Sequence, residues 1–187
     1  MISHKHKFIY ARVAKTGSST ITDYLCENVG DVTKIEGWTE NKHHIPLWYY
    51  KENISIKKFE SYYKFTFVRN PWDRLVSAHE YDKQFGNQLI FKEWIKLSPV
   101  SYNTISEHKY GIQYDFVNGC DFIGKFENLQ EDFNTVCDKI GIPQQQLPHK
   151  NKTKHKHYTE YYDDETREIV AEKYAKDIEY FGYKFGE

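Results

Sequence analysis

Apolar positions along the chain switch between two periods, and that switching outlines the architecture. Three short apolar runs read as buried strands: 8–13 (Phe8-Ile9-Tyr10-Ala11-Arg12-Val13), 65–68 (Phe65-Thr66-Phe67-Val68) and 121–126 (Asp121-Phe122-Ile123-Gly124-Lys125-Phe126). Between them the spacing lengthens to that of helices. Ile21, Tyr24 and Leu25 predict a helix over 20–28. Pro71 suits the first turn of a second helix, which carries Trp72, Leu75, Val76 and His79 on one face and places Arg74 and Ser77 elsewhere. A further helix is expected over 89–97. Leu129, Phe133, Val136, Cys137 and Ile140 predict another, closed by Gly141 and Pro143. The last one starts at the acids Asp163, Asp164 and Glu165 and runs through Ile169, Val170, Tyr174 and Ile178. Strands alternating with helices predict an α/β fold with a central, mainly parallel sheet flanked by helices. At 187 residues the chain is expected to form a single domain, 1–187.

Two stretches resist the pattern. The segment around Gly30 and Gly37 has no assignable period, and His43-His44-Ile45-Pro46-Leu47-Trp48 reads as a turn or short helix start. The polar stretch 98–118 is a candidate lid whose aromatics, Tyr102, Tyr110, Tyr114 and Phe116, either stack on a ligand or pack internally.

Composition narrows the class. The chain is 39% hydrophobic and 17% aromatic, which fits a folded globule. Its formal net charge is −1, so no global charge argues for nucleic acid or a membrane surface. The charge is unevenly spread. Residues 1–15 carry Lys5, Lys7, Arg12 and Lys15 without an acid, and 148–157 carry four Lys and three His without one. Two basic patches on a neutral chain suggest a small polyanionic ligand. No stretch approaches the roughly 20 apolar residues of a membrane span, and 1–7 lack the apolar centre of a signal peptide. Cys26, Cys120 and Cys137 have neither metal nor redox spacing; Cys26 and Cys137 fall on apolar helix positions, so buried thiols in a reducing cytoplasm are expected.

The candidate chemistry lies in two loops that follow strands. Lys15-Thr16-Gly17-Ser18-Ser19-Thr20 joins the first strand to a helix start. Unpaired N–H groups, the helix dipole, a Lys and hydroxyl donors meet there, which makes an anion site. Arg69 follows the second strand and Ser77 lies two turns into the next helix, a pairing of guanidinium fork and hydroxyl suited to a phosphate. Taken singly, each is equally a capped turn or a solvated charge.

Together these loops resemble the two cofactor signatures of sulfotransferases. The second reads Phe67-Val68-Arg69-Asn70-Pro71-Trp72-Asp73-Arg74-Leu75-Val76-Ser77-Ala78. Phe122 to Leu129 with Asp132-Phe133, and the ending from Tyr161-Tyr162 through Asp177 to Phe181-Gly182-Tyr183, agree in order along the chain. The closest resemblance is to the carbohydrate branch of that family. It implies a P-loop-like sulfotransferase fold and a donor, 3′-phosphoadenosine 5′-phosphosulfate (PAPS), with no metal. Lys15, Thr16, Gly17, Ser18, Ser19 and Thr20 would hold the 5′-phosphosulfate, Arg69 and Ser77 the 3′-phosphate. Lys154, in the basic loop with Lys152 and His155, would close over the nucleotide. Lys15 would stabilise the leaving phosphate, and His44, or else His43, would be the general base, with Glu52 and Glu60 left as alternatives. The implied partner is a hydroxyl-bearing glycan, glycolipid or small molecule, not a nucleic acid. Stable membrane insertion is not expected, the oligomeric state is open, and a cytoplasmic location working on intracellular precursors fits the short chain.

Two other classes compete. A P-loop kinase reads Gly-x-x-x-x-Gly-Lys-Ser/Thr, whereas here Lys15 precedes Gly17 and no Mg²⁺-binding carboxylate stands beside it. A non-catalytic nucleotide- or glycan-binding protein would have little use for both Lys15 and Arg69.

Overall fold

A computed structural model describes residues 1–33, 44–97, 110–148 and 156–187. His43, Lys152, Lys154, His155 and Tyr102 lie outside the described residues. The chain divides into two compact units: Met1–Val68 with Asp115–Lys150, and Arg69–Tyr114 with Asn151–Glu187.

The first unit is built on a four-stranded sheet in the order β1 (Ile2–Ser3), β2 (Phe8–Ala11), β3 (Tyr63–Val68), β4 (Phe122–Lys125). The pairs β2–β3 and β3–β4 are parallel, with Phe8 opposite Tyr63 and Phe65 opposite Phe122. The expected mainly parallel α/β sheet is therefore present. The added strand β1 runs antiparallel at the edge, in a segment whose polar residues hide it from a periodicity search. Strand β2 stops at Ala11, two residues short of the apolar run, because Arg12 and Val13 already turn towards the loop.

Both faces of the sheet are covered, as parallel strands require. On one face Phe8, Tyr10, Phe65 and Phe67 pack with Ile21 and Leu25 of α1 (Ser18–Val29) and with Phe133, Val136 and Ile140 of α7 (Leu129–Ile140). Tyr10 and Phe65 stack with ring centroids 4.9 Å apart. On the other, Ile9 and Ala11 pack with Ile45, Leu47 and Tyr50 around α2 (Leu47–Asn53), and α3 (Ile56–Ser61) follows. Gly124 is demanded by closeness: a Cβ there would stand 2.5 Å from Cε1 of Phe67. Asp132 then accepts a hydrogen bond from the Lys125 backbone N–H at 2.6 Å, tying α7 to the end of β4.

The second unit is helical: α4 (Pro71–Lys83), α5 (Phe91–Leu97), α8 (Asp164–Lys173) and α9 (Ala175–Phe181), with the short α6 (Gln113–Val117) crossing from one unit to the other. Asn70 caps α4 by accepting from Trp72 N–H at 3.1 Å, with Pro71 in the first turn as expected. Asp163 caps α8 through a reciprocal pair with Thr166. The final helix expected from the sequence is two helices, because the backbone breaks at Tyr174, whose buried hydroxyl donates to the Tyr110 carbonyl at 2.6 Å.

Side-chain burial adds detail and changes one expectation, that for Cys26. Arg74, off the apolar face of α4, is almost wholly buried, donating from Nη1 to the Gly111 carbonyl at 2.9 Å. Cys26 is exposed, since α1 turns its apolar stripe through Ile21 and Leu25 instead; only Cys137 is fully buried. Tyr110 and Phe116 are buried among other side chains, so of the candidate lid they serve packing.

Candidate functional site

The loop after β2 has an unusual backbone. Lys15 has φ +67° and Gly17 φ +76°, both left-handed, within three residues. Gly17 is the cap residue of α1 and supplies no side chain to its first N–H groups. No other residue fits there: the conformation favours glycine, and an added Cβ would meet Cδ2 of Leu129 at 2.8 Å and of Phe126 at 3.3 Å. The start of α7 thus presses against the turn and fixes it. Thr16 is buried and donates its hydroxyl to the Val13 carbonyl at 3.0 Å, closing the turn internally. Ser18 and Thr20 are buried, and Ser19 is exposed. Lys15 is half-buried at the crest.

Two residues flank this turn. His44 places Nδ1 3.3 Å from the Arg12 carbonyl oxygen. A carbonyl can only accept, so Nδ1 carries a proton towards Arg12. Arg12 itself is only 8% exposed, and its Nε has no hydrogen-bond partner among the described residues. Burial pushes the neighbouring Tyr10 and Tyr50 phenols up, with the Arg12 charge opposing. A buried guanidinium with an unmet donor fits an anionic ligand. In the sequence Arg12 belongs both to a basic segment and to the apolar run 8–13, and a cation within such a run is the signal for it.

In the second unit Arg69 is the first residue after β3 and is 8% exposed. Its Nε and Nη2 both donate to Oδ2 of Asp73 at 2.8 Å, which fixes one edge of the guanidinium plane. Ser77 lies on α4, half-buried. Gln113, buried and absent from the candidate site residues above, bonds the Arg69 backbone, and the buried Asp177 accepts from Gln113 in turn. The candidate bases Glu52 and Glu60 are exposed on α2 and α3. Among the described residues, no group of three or more His, Cys, Asp or Glu is arranged to hold a metal ion. Nor is any described helix long and apolar enough to cross a membrane.

A parallel sheet whose first βα turn is a tight, glycine-pinned loop carrying a lysine defines the α/β class of this protein. Comparison with known proteins gives the class its name: residues 1–184 match the model of the Sulfotransferase family, and the chain belongs to that family. An uncharacterised protein of Archaeoglobus fulgidus is 35% identical over 54% of this chain and 86% of its own length. Human carbohydrate sulfotransferase 9 is 27% identical, covering 95% of this chain and 47% of its own, and zebrafish (Danio rerio) carbohydrate sulfotransferase 14 is 25% identical, covering 98% and 61%. The chain thus spans about half the length of these carbohydrate sulfotransferases. A solved sulfotransferase structure from Alicyclobacillus acidocaldarius aligns at a TM-score of 0.45 with 13% identity, over 91% of this chain and 92% of that one.

Proposed function

We propose that this protein is a PAPS-dependent sulfotransferase that acts on a hydroxyl of a carbohydrate or carbohydrate-containing acceptor. The observation that carries the reading is the turn at 15–17, where two left-handed residues and a clash-locked glycine hold Lys15 beside an α1 start without a side-chain cap. The donor supplies the sulfuryl group, whose bond to a phosphate oxygen breaks as one to the acceptor oxygen forms.

Each residue then has a distinct task. Lys15 and the first N–H groups of α1 neutralise charge that grows on the leaving phosphate, a contribution largest where water is excluded. Gly17 lets the backbone approach that phosphate closely, Thr16 keeps the turn closed, and Ser18, Ser19 and Thr20 open the helix that faces it. His44 takes the acceptor proton on Nε2, because its Nδ1–H is occupied by the Arg12 carbonyl. His43 remains its sequence neighbour and rival, and Lys154 is retained as a closing residue of the nucleotide. The 3′-phosphate falls to Arg69 and Ser77. The family's carbohydrate members favour a sugar hydroxyl as acceptor. A cytoplasmic location is part of the same proposal.

The test uses adenosine 3′,5′-bisphosphate, the desulfated product. At 100 times its dissociation constant it should stabilise the fold by about 2.7 kcal/mol, read as a rise in melting temperature, with ATP and Mg²⁺ doing much less. In a sulfuryl-transfer assay against a glycan panel, His44→Ala should lower kcat by about 10²-fold or more with little change in donor KM. The reading fails if the bisphosphate gives no shift; the His44 assignment alone fails if kcat is unchanged.

A further inference from the structure

The arginine that follows β3 is held from behind by two residues with no assigned task. Arg69 has left the β-ladder, since the last β3–β4 pair is Val68 with Lys125, and it precedes the Asn70 cap of α4. Its backbone N–H and C=O are buried polar groups, and such groups are costly to leave unmet. Gln113 meets both. Its Oε1 accepts from the Arg69 N–H at 2.9 Å, and its Nε2 donates to the Arg69 carbonyl at 2.9 Å. One side-chain amide thus imitates a strand partner across a single residue.

The amide is held in turn. Asp177 accepts from the Gln113 backbone N–H at 2.9 Å, from the Tyr114 N–H at 2.9 Å and from Gln113 Nε2 at 3.3 Å. Gln113 and Asp177 are both 0% exposed. The carboxylate fixes which way the amide faces, because Nε2 must point at an acceptor and Oε1 then falls to the Arg69 N–H. The side-chain end of Arg69 is fixed separately by Asp73. Backbone and guanidinium are thereby pinned at both ends.

We propose that Gln113 and Asp177 are positioning residues for the 3′-phosphate of the nucleotide: they set the Arg69 backbone so that its guanidinium meets that phosphate. The inference rests on the proposed reading of Arg69 as the 3′-phosphate ligand. Neither residue touches the phosphate. Their effect is confined to the group that Arg69 recognises, which separates positioning from general support of the fold.

The experiment measures dissociation constants for two probes, adenosine 3′,5′-bisphosphate and adenosine 5′-monophosphate, by calorimetry on the whole chain. Wild type should prefer the bisphosphate by about tenfold or more, and Arg69→Ala should erase that preference. Gln113→Leu, close in size but without hydrogen bonds, should lose most of the preference while its monophosphate affinity stays within about twofold. Asp177→Asn should do the same, since its amide offers one acceptor where three N–H donors converge. If Gln113→Leu fails to fold, Gln113→Glu is measured in its place; it keeps the acceptor for the Arg69 N–H but loses the donor to the carbonyl. Full preference in a folded Gln113 variant overturns the proposal, as does equal weakening of both probes. Wild type without any preference sinks the nucleotide reading itself, and a preference that survives Arg69→Ala sinks only the assignment of Arg69.

Discussion

At the scale of single residues, the turn at 15–17 sets function against ease of folding. A lysine at φ +67° sits where an L-residue is strained by about 1 kcal/mol, and a glycine there would be at ease. Lys15→Gly should therefore keep the melting temperature within a few degrees of wild type, because relieved strain offsets added chain entropy, while sulfuryl transfer drops by about 10²-fold or more. Paired thermal melts and turnover assays decide this; a large loss of stability would mean that the lysine is held for packing. Gly17 behaves oppositely. Gly17→Ala adds a Cβ at 2.8 Å from Leu129 in a left-handed position, so stability should fall by about 1–3 kcal/mol in urea titrations. Both residues were visible in the sequence as Gly and Lys in a loop after a strand. What was not visible is the reason for Gly17, since Phe126 and Leu129 arrive from more than a hundred residues away. The burial of Arg12, Gln113 and Asp177 was hidden for a related cause: a polar residue gives no periodic signal, and burial depends on elements it meets only after folding.

At the scale of elements, existence was easier to read than ends. The strands at β2, β3 and β4 and the helices α1, α4 and α7 were announced by apolar spacing with Asn70-Pro71 and Gly141 as punctuation. The edge strand β1 was missed because its pairing depends on tertiary contacts rather than pattern. Ser3 donates to Asp31 Oδ1 at 2.5 Å, the Lys5 N–H donates to Oδ2 at 2.7 Å, and Ile2 bridges to Thr33. Burial alone would push the Asp31 carboxyl up, but the Ser3 hydroxyl and the backbone N–H groups of Lys5 and His4 outweigh it and hold it below its ordinary value. A carboxylate with a lowered folded pKa stabilises the fold above its unfolded pKa, near 4, and that stabilisation is lost as pH falls through the folded value. Asp31→Asn should then cost about 1 kcal/mol at neutral pH. The gap to wild type should shrink in urea titrations as the pH is lowered below about 4. A gap that does not change with pH would remove the carboxylate from the account.

At the scale of the whole molecule, the two candidate phosphate cradles belong to different compact units, the loop 15–20 to the first and Arg69 with Ser77 to the second. A single nucleotide that engages both should slow amide hydrogen exchange in both. Exchange followed by mass spectrometry should show added protection over 15–21 and over 69–77 when adenosine 3′,5′-bisphosphate is present, and protection of one segment alone would rule out the two-ended mode. The pairing of these loops was legible only through a resemblance spanning the chain, because no local physical signal links two loops so far apart in sequence.

The parallel ladder also fixes an order of events during synthesis. Strand β2 has its neighbour only when Tyr63–Val68 has been made, and β3 waits in turn for Phe122–Lys125. The α7 residues that cover the Phe8, Tyr10, Phe65 and Phe67 face come later still. A ribosome adding about 5–20 residues per second therefore leaves this aromatic face covered by α1 alone for seconds before α7 emerges. Chains truncated before residue 129 should accumulate as chaperone clients, and slower elongation ahead of α7 should lower the soluble yield without touching the finished fold.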